Sequence, residues 1–407
     1  MLIVIFSWGV TNICKGQHQL IVRDSSEHIE MPAIEHMLIE HPSGTLFTSG
    51  FQFSSKSPQL WKSVDKGKSW HRVDVGSQDQ GADGNSDVDM VIDKEGSIYL
   101  ISLRYDWVNP GDSTSEARGK HITVGVSHDV GKTWTWTFLS KTLNDDRPWI
   151  DVDAEGTVHA IWNDGKGVCH AISKDKGQSW LEQNRIYNKG LSSHLATGPN
   201  GTIAVRITPR SAAGYQFDEG VDFLAVSKDF GKTWSILDLP GKRDWNEEQT
   251  DSDTPRWVEP LAWDDEGSLY TMWSEGKELV LGVSKDVGKS WKTHKIAEDK
   301  ELVFFPYLNS SPTGRIACTW FSGHNERLVL YAAEILLTNP TPTIVKTEPL
   351  QLSLWSKWEE NTRWTGGEYI AIKFLQNGNL AMVTPIYNPN TQRYGFTWWE
   401  LESSIKD

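Results

Sequence analysis

Cysteine is scarce. The 407-residue chain has three, and once a leader ending near residue 17 is removed only Cys169 and Cys318 remain. Each lies in an apolar, strand-like run (VCHAIS and RIACTW), so both are expected to be buried free thiols in a fold that needs no disulfide. Long apolar runs are missing too. Leu2 to Val10 (LIVIFSWGV) is too short to span a bilayer and reads as the core of a signal peptide over residues 1–17, though without a basic flank. A lipid anchor at Cys14 is the other reading, with Thr11-Asn12-Ile13 as a poor lipobox. The expectation is a secreted or periplasmic monomer with no membrane span.

Positive charge is in deficit. The formal charge is −14 and no Lys/Arg block occurs, which argues against nucleic acid or an anionic membrane as partner. Walker loop, dinucleotide fingerprint, HExxH and paired CxxC are absent, so no cofactor is expected. His121, His128, His159 and His170 show no ligand spacing, and no metal is expected. Neither a long amphipathic helical stretch nor a Pro/Gly/Ser linker divides residues 18–407, which therefore read as one domain.

What the chain has in excess is tryptophan, 21 residues, together with 34 glycines. One octapeptide accounts for five of the tryptophans: SVDKGKSW at 63–70, SHDVGKTW at 127–134, SKDKGQSW at 173–180, SKDFGKTW at 227–234 and SKDVGKSW at 284–291. It reads as a tight turn in which Asp caps backbone N–H groups, Gly takes a conformation closed to other residues, and Trp folds back as a cover. A second element counts the units. Turn glycines at 44, 96, 156, 201, 267, 314 and 378 each have an apolar residue six before and two after, at a mean spacing of about 56 residues, which suits a four-stranded blade. Trp162, Trp273 and Trp320 share the slot six after the glycine and read as repeat packing.

The octapeptide matches the Asp box, or BNR repeat, and on it the chain resembles the sialidase-like β-propeller superfamily. The resemblance implies an all-β, seven-bladed propeller, with six blades plus an appendage as the alternative. The stretches ERLVLYAAEI and RYGFTWWELE replace the box in the last two blades, and residues 18–35 are expected to close the ring beside the C-terminal strand. Asp boxes in such propellers are rim structures, so chemistry is expected near the axis.

Residues that break the repeat are the candidates. Seven before each turn glycine stand Met37, Asp89, Trp149, His194, Pro260, Tyr307 and Ala371, with Asp87, Arg147, Arg256, Glu259 and Glu368 nearby. Arg206 stands where most other blades carry an apolar residue, and a buried arginine needs an acid or an anionic ligand. With His194, Arg210 and Tyr215 it forms the densest chemical cluster in the sequence. Insertions at 104–120, 209–222 and 241–256 are expected to shape a pocket.

A sialidase presents an Arg-Ile-Pro motif on its first strand; here that segment reads Glu30-Met31-Pro32. In overall plan the chain is more similar to ulvan lyases and rhamnose-glucuronate lyases, in which His, Tyr and Arg do the work. That similarity implies β-elimination on an acidic, uronate-containing and sulfated polysaccharide or oligosaccharide by a lyase or dehydratase. His194, Arg206 and Tyr215 would be catalytic, with His121, His170 and Tyr187 as substitutes. Arg147, Trp149, Arg210, Arg256, Trp257, Glu259 and Tyr307 would bind substrate. A glycoside hydrolase (exo-sialidase or α-rhamnosidase) and a non-catalytic glycan-binding propeller are the alternatives.

Overall fold

The computed structural model describes residues 19–108, 116–209, 220–243, 258–324, 327–338, 341–351, 367–388, 393–403 and 405. The expected leader 1–17 with Cys14 lies outside them, as do Arg210, Tyr215, Arg256 and Trp257.

Each blade follows one path, shown by blade 3: inner strand Asp146–Val152, second strand Val158–Asn163, third strand Val168–Ser173 and outer strand Leu181–Glu182, all antiparallel. The inner strands of blades 1, 2, 4, 5, 6 and 7 are Ile34–Glu40, Val88–Ile92, Leu191–Thr197, Leu261–Trp263, Val303–Ser310 and Ile372–Phe374. Neighbouring inner strands touch in cyclic order, the seventh against the first, so the described strands form a seven-bladed ring. The expected third strands of the two boxless blades are found at Arg327–Leu336 and Arg393–Glu402. Strand Ile21–Ile29 pairs with Arg393–Glu402 and supplies the outer strand of blade 7, the ring closure expected of residues 18–35. Among the described residues there is no α-helix.

Every residue type of the Asp box has a task. In the first, Asp65 accepts from the Ser63 hydroxyl (2.8 Å), the Ser69 N–H (2.9 Å) and the Ser69 hydroxyl (2.5 Å), while the Gly67 N–H donates to Ser63 Oγ (2.8 Å). The Trp70 indole N–H closes the turn on the Gly67 carbonyl at 3.0 Å. The residue before each box glycine is also left-handed, with φ between 57° and 64° at Lys66, Val130, Lys176, Phe230 and Val287. Two consecutive left-handed residues make this a primed turn, matched to the twist of the strands it joins.

The box glycines do more than turn. A Cβ on Gly131 of blade 2 would stand 2.9 Å from Phe47 of blade 1, and one on Gly288 of blade 5 would stand 2.6 Å from Leu224 of blade 4. Gly67, Gly177 and Gly231 are likewise backed by Trp398, Val126 and His170 of the blade before. Each box therefore joins its own strands and seals against its neighbour. The core is distributed in the same way: Ile150, Ala160 and Trp162 of blade 3 pack with Ile101, Val124 and Val126 of blade 2, and equivalent clusters lie between other adjacent blades. Cys169 and Cys318 are buried free thiols, as expected.

Gly131→Ala is expected to lower stability by roughly 2–4 kcal/mol, from the left-handed backbone and the clash together, measured by the denaturant midpoint. Hydrogen bonds from Ser69, Ser179 and Ser290 hold Asp65, Asp175 and Asp286 down to about 2. Their stabilisation is complete above the ordinary carboxylate value and disappears as pH falls through about 2, so the melting temperature should drop between pH 4 and 2.

Candidate active site at the mouth of the ring

Strand direction divides the ring into two faces. Turn glycines and Asp boxes lie on the lower face, where inner strands end; the upper face is where they begin. The described chain ends that flank 109–115, 210–219, 244–257 and 352–366 lie on this upper face, and those stretches themselves lie outside the described residues. They include the central parts of the expected pocket-shaping insertions.

Nine residues before the turn glycine, at the upper end of each inner strand, blades 1 to 3 place Glu35, Asp87 and Arg147, whereas blades 4 to 7 place Ser192, Val258, Phe305 and Tyr369. One residue earlier come Asp146 in blade 3 and Glu368 in blade 7. Among the described residues at these two positions, charge thus lies on one side of the mouth, blades 7, 1, 2 and 3. Register shifts interrupt the inner strands here, between Ile34 and Met37 in blade 1 and between Asp146 and Trp149 in blade 3. Glu35 and Arg147 lie inside these bulges at φ 52° and 46°, a conformation that non-glycine residues adopt at a cost and that re-aims a side chain.

The Arg147 guanidinium bonds Glu368 Oε2 at 2.9 Å, and the Glu368 N–H donates to Glu35 Oε1 at 3.0 Å. Burial pushes the Asp146 carboxyl up to about 7, helped by the negative charge of Asp87. Burial, then Glu368 and Asp87, raises Glu35 well above the carboxylate range. Burial works against the charge on Arg147, but Glu368, Asp146 and Asp87 outweigh it and hold the guanidinium above its ordinary value. The mouth therefore combines a carboxyl raised to about 7 at Asp146 and one raised well above the carboxylate range at Glu35 with the Arg147–Glu368 ion pair.

An aromatic floor closes the axis beneath. Trp149, His194, Tyr307 and Tyr369 are all at most 9% exposed, with ring centroids 4.8 Å apart for Trp149 and His194 and 5.4 Å for Tyr307 and Tyr369. His194 Nδ1 accepts the Leu261 N–H of blade 5 at 3.3 Å, so its proton is on Nε2, 3.3 Å from the Tyr307 hydroxyl. Burial, aided by Lys373, lowers His194 to about 3. Asp89 accepts from Ile150 N (3.0 Å) and Asp151 from Thr197 N (2.7 Å) in the same blade-to-blade manner.

The expected cluster is thus distributed differently. His194 is a neutral backbone acceptor in the floor. Arg206, paired in register with His194, is fully buried, contacts Glu259, and bonds Asp222 Oδ2 at 3.1 Å and the Gly241 carbonyl at 3.2 Å. Trp149 and Tyr307 are 4% exposed, so they pave the floor with their rings packed on one another's neighbours. Of the substitutes, His121 lies 3.0 Å from Asp83, His170 is buried 3.1 Å from His159, and Tyr187 packs on Phe223. Arg147 alone of the expected substrate-binding arginines is described at the mouth. Glu35 and Asp146 were not singled out from the sequence; the charged run at the ninth and tenth positions before the turn glycine is the signal that marks them. Among the described residues no group of three His, Cys, Asp or Glu is arranged to hold a metal.

Neither a family model nor a curated protein matches the sequence. Solved structures do match in fold. A fungal alcohol oxidase of the AA5 family, solved with copper, superposes with a TM-score of 0.55 at 11% identity over 94% of this chain and 76% of its own. The α-L-arabinanase of Penicillium chrysogenum gives 0.48 at 15% identity (77% of this chain, 98% of that one). The NanB sialidase of Streptococcus pneumoniae gives 0.48 at 13% identity (81% and 70%). At such identities the likeness is one of fold.

Arg206→Met removes the buried guanidinium that Asp222 and Glu259 share and is expected to destabilise the fold by about 3–5 kcal/mol, read from denaturant unfolding. Unchanged stability with lost turnover would instead return Arg206 to a catalytic role.

Proposed function

We propose that the chain is a carbohydrate-active enzyme that hydrolyses a glycosidic bond of a neutral saccharide at the acidic mouth. The observation that carries this reading is the contrast between Asp146, pushed up to about 7, and Glu368, ion-paired with Arg147 at 2.9 Å. Two carboxyls whose environments drive their protonation apart are the apparatus of glycoside hydrolysis. Asp146 gives its proton to the glycosidic oxygen, which leaves with the electron pair of the breaking C–O bond. Glu368 takes a proton from the water whose oxygen bonds the anomeric carbon. Glu35, kept protonated, donates a hydrogen bond to a sugar hydroxyl, and Arg147 holds Glu368 in its ionised form.

Elimination on a uronate, the finer expectation built on His194, Arg206 and Tyr215, needs a cation to neutralise the substrate carboxylate. Arg206 already faces two acids, and among the described residues the mouth sets four carboxyls, Glu35, Asp87, Asp146 and Glu368, against the one guanidinium of Arg147. Both features favour an uncharged sugar.

Purified protein incubated with neutral polysaccharides should release reducing ends, and Asp146→Asn should lower kcat by about 10²–10⁴. As the donor form is lost when pH rises through about 7, kcat/KM should decline on an alkaline limb near that pH, and the limb should vanish in the variant. An ultraviolet-absorbing unsaturated uronate as product, or full turnover by Asp146→Asn, would overturn the reading.

A further inference from the structure

Phe53 is a flat apolar ring left 60% exposed on the upper face. Two rings back it: Phe51, edge-on at 5.1 Å and itself 5% exposed, and Tyr105 of blade 2 at 6.4 Å. Buried Asn85 fixes both backbones, donating to the Phe53 carbonyl at 2.8 Å and accepting the Tyr105 N–H at 2.7 Å. The ring is therefore held in place rather than loosely displayed. Its position relative to the acids follows from register. Phe51 pairs with Ile34, the neighbour of Glu35, and Asn85 precedes Asp87 by two residues. Phe53 thus follows, by two residues, the strand position that pairs beside Glu35, and its carbonyl is held by the segment that leads into Asp87.

We propose that Phe53 is the platform for a second sugar ring, so that the substrate is a chain of neutral sugars running outward over blades 1 and 2 from the bond held at the mouth. The inference rests on the saccharide reading of the mouth. A flat, exposed aromatic face beside carboxyls suits a pyranose or furanose ring, whose C–H face is apolar and whose edge hydroxyls bond acids. The apolar ring offers nothing to a carboxylate or sulfate on the sugar it holds, which agrees with the charge of the mouth.

The test is affinity gel electrophoresis of the full chain carrying Asp146→Asn, which binds without turnover, through gels containing xylan, arabinan, galactomannan, mixed-linkage β-glucan or ulvan. At least one neutral polysaccharide should retard the protein. Adding Phe53→Ala should weaken that retardation about five- to tenfold, while Phe53→Trp retains it. Phe138→Ala, which removes an exposed aromatic from an outer strand, should leave it as it was. Equal retardation with Phe53→Ala, retardation by ulvan alone, or none by any gel would overturn the platform. Because retardation is read without turnover, failure of hydrolysis in the wild-type chain is a separate result.

Discussion

A ring of sheets is only as stable as its seams, because each blade can bury its faces only against the two beside it. The described residues hold no disulfide across those seams and use two devices instead. At the lower face an Asp-box glycine in each of blades 1 to 5 meets a side chain of the blade before, the first box reaching blade 7. Near the axis Asp89, Asp151 and His194 each accept a backbone N–H from the inner strand of the following blade. The final seam is closed by strand pairing: Ile21–Ile29, whose main chain runs on into blade 1, completes blade 7 by hydrogen bonding to Arg393–Glu402. Where blade 6 has no box, buried Arg315 contacts Glu334 and lies 5.3 Å over the ring of Phe374 in blade 7.

This division of labour explains why the mouth can carry strain. Glu35 and Arg147 occupy left-handed conformations within bulges, and several buried carboxyls are held where water would relieve them. Such arrangements persist only when the surrounding structure over-determines them. Here the seams do so from below, leaving the upper ends of the inner strands free to carry charged side chains in bulged backbone.

The repeat made the architecture legible. Five octapeptides and seven turn glycines marked the blades, and the apolar residue six before each glycine falls within or immediately beside the inner strand. The candidate site was legible only in part, for two physical reasons. His194 and Arg206 are adjacent across a strand pair, as their place in the repeat implied, but what they touch comes from blade 5 and from Asp222, and no periodicity reveals a partner across a seam. A buried arginine announces that it needs an acid; it does not announce whether the acid belongs to a ligand or to the chain. Glu35 and Asp146 escaped because the slot seven before the glycine drew attention, whereas the charged groups of the mouth stand at the ninth and tenth positions, within or beside bulges in blades 1 and 3.

One feature of the mouth bears on biosynthesis. Arg147 and Glu368 are 221 residues apart in sequence, and the blade that presents Glu368 takes its strands from both ends of the chain. The ion pair that would keep one carboxyl ionised beside a protonated one therefore cannot assemble on a growing or truncated polypeptide. Whatever chemistry the mouth performs is withheld from the nascent chain, and its onset reports that the last blade has been made and the circle joined.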